Sequence, residues 1–118
     1  MADASPIRVR HEGTVTRVDF TEARISDEVV IHRIGQELLK LADATPAPSM
    51  VLCFGGVQFL SSAALGVLIN VHNRLRARDG KLRLCEIAKP ILEAFKITRL
   101  DRLLEIHETA EQAMKSLG

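Results

Sequence analysis

Two adjacent hydroxyls, Ser61 and Ser62, join an apolar run, Val51-Leu52-Cys53-Phe54, to a stretch with apolar residues at Leu65, Leu68, Ile69 and Leu75. Serine followed by Ala63 and Ala64 is a good helix start, because a serine oxygen accepts a first-turn N–H that lacks a partner inside the helix. A cap alone accounts for the local pattern. The same geometry also presents a small hydroxyl at the positive end of a helix, where an added phosphate is tolerated and changes a surface without breaking a core. A serine nucleophile asks for more, and Leu60-Ser61-Ser62-Ala63-Ala64 has neither flanking glycine of the G-x-S-x-G elbow. His11, His32, His72 and His107 fall in separate elements without ligand-like spacing, so no metal site is expected. Gly55-Gly56 belongs to neither a G-x-G-x-x-G nor a Walker pattern, so no nucleotide cofactor is implied. Cys53 and Cys85 lie in apolar, strand-like runs without C-x-x-C spacing and read as two buried, reduced thiols, not as a disulfide or metal pair.

The bulk of the chain narrows the field further. Its 118 residues suffice for one domain, spanning 1–118, that buries roughly two-thirds of its unfolded surface. Aromatic residues make up 3%, with neither Trp nor Tyr, which makes the core aliphatic and removes any stacking platform for bases or sugars. A net charge of +1 supplies no field for nucleic acid or an anionic membrane. Arg74, Arg76, Arg78, Lys81 and Arg83 cluster locally, but only Arg74 and Arg78 share a helical face, as cations at a helix end do. Residues 1–6 read as a flexible tail without the basic and apolar regions of a secretory signal. No run approaches the roughly 18 apolar residues of a membrane span. Cytoplasmic residence without membrane insertion is the simplest expectation.

The elements that must position the serines follow from periodicity. Ile7 to Arg10 and Thr14 to Phe20 alternate and read as a hairpin through His11-Glu12-Gly13. Ser26 offers a cap for a helix with Asp27 and Glu28 in its first turn and Ile31, Ile34, Leu38 and Leu41 at helical spacing, ending near residues 42–44 before Pro46 and Pro48. Val51 to Phe54 is the unbroken apolar run of a strand covered on both faces. The helix opened by the serines carries Leu65, Leu68, Ile69, His72 and Leu75 on one face and ends near Arg78-Asp79, with Gly80 placed for a left-handed turn. Leu82 to Ile87 is a strand, Pro90 begins a short helix, Leu103 to Ile106 is a last strand, and Thr109 with Gln112 matches a capping box. The order is ββαβαβαβα: an α/β domain with a mixed, mostly parallel sheet joined by right-handed crossovers. Open sheets of this kind work at the carboxyl ends of their strands, which is where residues 59–64 fall. With catalysis unsupported, the chain reads as an interaction domain.

The run Val51 to Leu68, VLCFGGVQFLSSAALGVL, resembles the central motif of STAS domains, specifically of bacterial anti-sigma factor antagonists. The Gly80-Lys81-Leu82-Arg83-Leu84-Cys85 strand, Ile97-Thr98-Arg99-Leu100-Asp101 and Ala110 to Leu117 resemble their counterparts, so the likeness runs from about residue 7 onward. It implies a non-enzymatic partner-switching protein. The unphosphorylated form binds an anti-sigma factor that is also a serine kinase, phosphorylation of the motif serine blocks binding, and a phosphatase restores it. The phosphoacceptor maps to Ser62, with Ser61 as the alternative, and Asp27, Ala63, Ala64 and Gly66 map to the partner surface. The chain departs from the family pattern where Ser61 replaces a frequent Asp, Ala63 and Ala64 replace Ser and Gly, and Cys53 replaces a frequent acidic residue. Two other readings stand beside it: a STAS subunit of a transporter or scaffold complex acting by contact without phosphorylation, and an enzyme using Ser62 or Cys53.

Overall fold

Side-chain alternation along the strands divides the sheet into two unequal faces. A computed structural model of the chain describes residues 5–117. Strands β1 (Ile7–Glu12) and β2 (Val15–Phe20) form the expected hairpin, turning through Gly13 at φ +64°. They are followed by β3 (Arg24–Ile25), helix α1 (Glu28–Asp43), β4 (Ser49–Cys53), β5 (Phe59–Leu60) and α2 (Ser62–Ala77). Then come β6 (Lys81–Cys85), α3 (Lys89–Ile97), α4 (Leu100–Leu103), β7 (Glu105–His107) and α5 (Ala110–Lys115). The main sheet runs β1-β2-β4-β6-β7, antiparallel between β1 and β2 and parallel elsewhere. The order read from periodicity therefore holds, with two two-residue strands and one helical turn inserted. Those pieces are too short to show a period.

One face carries Val18, Met50, Leu52, Phe54, Leu82 and Leu84 into a core closed by α1, α2 and α3. The other carries Val15, Val51, Cys53 and Cys85 under Ala110 and Ala113 of α5. Val51 to Phe54 is thus covered on both sides, as its unbroken apolar run requires. Beyond α5 the second face is held by charges: Arg83 pairs with Glu105 at 2.6 Å and Arg17 with Asp19 at 3.3 Å. No helix among the described residues is long and apolar enough to cross a membrane.

Several local expectations are corrected. Asp27, not Ser26, caps α1: its carboxylate accepts from the N–H of Val29 (2.9 Å) and of Val30 (3.1 Å). Helix α2 buries Ala64, Leu68, Val71 and Leu75, a stripe turned slightly from the expected one, so Leu65, Ile69 and His72 sit at its half-buried edge. Its end is a Schellman turn in which Asp79, at φ +58°, takes the left-handed conformation. Gly80 donates to Leu75 O at 2.7 Å. A glycine is needed there for space, because a Cβ would stand 2.5 Å from Pro48 O. Leu103 belongs to the α4 turn, and the last strand begins at Glu105. Of the expected tail, residues 1–4 lie outside the described residues. Pro6 is buried and accepts from Thr21 N–H at 3.0 Å, and the Ser5 hydroxyl donates to Glu37 at 3.2 Å. The arginine cluster ties α2 to the end of α1, with Arg74 on Asp43 at 2.6 Å and Arg78 donating to Thr45 O at 3.3 Å.

Candidate functional site

Two helices begin side by side from one small ribbon. β3 and β5 pair in parallel, Arg24 with Phe59 and Ile25 with Leu60, and Ser61 N–H extends the ladder by donating to Ile25 O at 3.0 Å. Asp27 and Ser62 therefore each lie two residues beyond a paired position, at adjacent helix starts. Ser61 is half-buried and its hydroxyl is engaged, accepting from Ala64 N–H at 3.3 Å as the α2 cap. Ser62 opens the helix, is exposed, and makes no side-chain hydrogen bond among the described residues. The two hydroxyls are neighbours with opposite duties.

The corner also holds apolar surface that periodicity did not reveal. Val29, in the first turn of α1, is 77% exposed, and Phe59 is 38% exposed with the Arg24 guanidinium 4.6 Å above its ring. A shallow cleft of about 150 Å³ runs from Phe59 and Leu60 past Leu65 to Pro90, Ile91 and Ala94. Ala63 is exposed, and a Cβ built on Gly66 would meet open space. Ala64, expected on the partner surface, is 5% exposed and packs into the core instead. Val29 was invisible because it lies off the buried α1 stripe, and Phe59 because two residues of strand show no alternation.

The remaining reactive groups lie elsewhere. Neither serine is hydrogen-bonded to a histidine among the described residues; His11 contacts Thr16 and His107 contacts Glu105. The described residues contain no group of three or more His, Cys, Asp or Glu side chains placed to hold a metal. His72 is held below the ordinary histidine range, first by burial and then by Arg76 one turn along α2. Cys53 and Cys85 are both buried and free, as expected of them, and they also touch, a fact that strand register alone could reveal.

A model of the STAS domain family matches residues 9–113, nearly the whole sheet and both helix starts. The chain belongs to the STAS domain family. Its fold is similar to that of an anti-sigma-factor antagonist STAS domain protein from Planctomyces limnophilus, at 23% identity and a TM-score of 0.83 over 93% of this chain and 96% of that one. The phosphorylated form of the Bacillus cell fate determinant SpoIIAA matches at 13% identity and a TM-score of 0.71, over 95% of this STAS chain and 99% of its own. SLC26A9 matches over 86% of this chain but only 19% of its own length, at 15% identity and a TM-score of 0.63. At these identities the likenesses establish the shared fold.

Proposed function

We propose that this STAS domain is a non-enzymatic partner-switching regulator of the anti-sigma factor antagonist kind. Its partner is an anti-sigma factor that is also a serine kinase, Ser62 is the phosphoacceptor, and a phosphatase reverses the modification. One observation carries the choice of serine: the Ser61 hydroxyl is engaged as the α2 cap while the Ser62 hydroxyl is exposed and unpartnered. Asp27, Ala63 and Gly66 border it, and Val29 with Phe59 supplies the apolar contact that a protein partner would desolvate.

Magnitudes explain why phosphate here switches binding and not folding. An anion in the first turn of a helix gains about 0.3–1 kcal/mol, so the fold persists. An unmatched charge in a desolvated interface costs about 3–5 kcal/mol. At 1.4 kcal/mol per decade, affinity falls by about two to four orders of magnitude. After incubation with the cognate kinase and ATP, peptide mapping should place one phosphate on Ser62. Ser62→Asp should lose partner binding by those two to four decades while Ser62→Ala keeps it. Phosphate on neither serine, with recovery of a transporter ATPase in a pull-down, would replace this reading with the contact-only transporter subunit.

A further inference from the structure

Two thiols remote from the serine chemistry meet inside the sheet. Cys53 and Cys85 are register partners on β4 and β6, each 1% exposed or less, and their sulfurs lie 3.2 Å apart with the Cys85 thiol donating. Adjacent strands run about 4.8 Å apart, within the 4.4–6.8 Å Cα spacing that a disulfide accepts. The pair belongs to a row that crosses the sheet, because Asp19, Cys53, Cys85 and His107 are successive register partners. Arg17, on the same face, leans on Asp19 at 3.3 Å. Donation from Cys85, aided by Arg17, holds the Cys53 thiol below its ordinary range against the opposing effect of burial, whereas proton sharing and burial push Cys85 up. Cys53 is accordingly the better nucleophile of the two.

The cover over these sulfurs is thin. α5 has six residues and seats on the pair through Ala110 and Ala113, with Met114 and Leu117 at the edge. A helix this short has little stability of its own in water and depends on that modest apolar contact. Such segments open locally well before the domain unfolds.

We propose that Cys53 and Cys85 form a peroxide-responsive pair that closes to an intramolecular disulfide when α5 lifts. The Cys53 thiolate attacks one oxygen of hydrogen peroxide, the O–O bond breaks, and the departing hydroxide takes a proton to become water. The Cys85 thiol then attacks the sulfenic sulfur. The S–S bond forms as the S–O bond breaks, and the proton given up by Cys85 goes to the departing hydroxyl, which leaves as a second water. Two electrons leave the thiols and one peroxide becomes two waters. The bond would staple β4 to β6 one residue before Phe54, at the strand end that leads into the serine corner.

Intact mass and non-reducing peptide mapping of the full chain under hydrogen peroxide test this. The expected product is a monomer lighter by two hydrogens with a Cys53–Cys85 crosslink, reversed by dithiothreitol and absent from Cys85→Ser. Thr109→Ala removes the α5 cap, whose hydroxyl accepts from Gln112 N–H at 3.1 Å, and should speed crosslinking about fivefold. Ala113→Gly, which weakens the same helix from its buried side, should do likewise. Sulfinic or sulfonic acid on one cysteine, crosslinks between chains, or no reaction would overturn the pairing. Rates unchanged in both α5 variants would overturn the role of the cover.

Discussion

Neighbouring residues of one strand live on two very different faces of this molecule. Leu52 points into a core of aliphatic side chains and three phenylalanines, Phe20, Phe54 and Phe95, sealed by three helices, while Val51 and Cys53, one residue away on either side, point under a single six-residue helix. All three are 1% exposed or less, so burial does not distinguish them. What differs is the depth of material behind them. The deep face is packed by three helices, and the shallow face is closed by one short helix.

The largest effect expected to test that contrast is a pair of truncations. Leu52→Ala should cost about 2–5 kcal/mol in denaturant unfolding, because the surrounding helices cannot collapse into the cavity. Val51→Ala should cost only about 1.5 kcal/mol, near the transfer value of the lost methyls, since α5 can settle into the gap. Equal losses would mean that the two faces are equally rigid.

The helix starts on the deep face offer a second, smaller test. Asp27→Ala and Ser61→Ala should each lose about 1 kcal/mol with their cap bonds, while Ser62→Ala should stay within about 0.5 kcal/mol. A Ser62 loss as large as that of Ser61 would show a shared structural duty and weaken the assignment of Ser62 to signalling.

The smallest effect is a pH slope at the rim of the deep face. His72 is depressed by burial and by Arg76, so the unfolded chain takes up its proton first as the pH falls. Its contribution is fully present above the ordinary histidine value of about 6.5 and is lost as the pH drops through the lower folded value. The stability difference between the wild type and His72→Gln should shrink in that window, as read from unfolding midpoints at matched ionic strength. A difference independent of pH would place His72 in water.

Much of this was legible in the residues themselves. The alternation of Val51 to Phe54 and Leu82 to Ile87 with helical runs dictated a parallel sheet, although the second strand stops at Cys85, where Glu86 turns to φ +59°, and the serine pair fell at the carboxyl end of the central strand. What stayed hidden depends on partners distant in sequence. Nothing local in Arg24–Ile25 or Phe59–Leu60 announces a strand, since each exists because the other is there. The contact of Cys53 with Cys85 follows from the register of β4 against β6, which neither run specifies alone. Ser26 and Asp27 are both good cap types, and the structure uses Asp27. Gly80 does not take the left-handed turn that its position after α2 suggests: Asp79 does, and the glycine is fixed by its approach to Pro48.

That close approach of Gly80 to Pro48 has a mechanical consequence. Lys81 N–H also donates to Pro48 O at 2.8 Å, so the connections entering β4 and β6 are clamped to each other with no room for a side chain between them. The clamp sits where these strands begin, and the serines sit beyond where they finish. A body riveted at its base yields at its rim, so strain from a protein docked at the proposed serine site would be taken up there, by the ribbon and the two helix mouths.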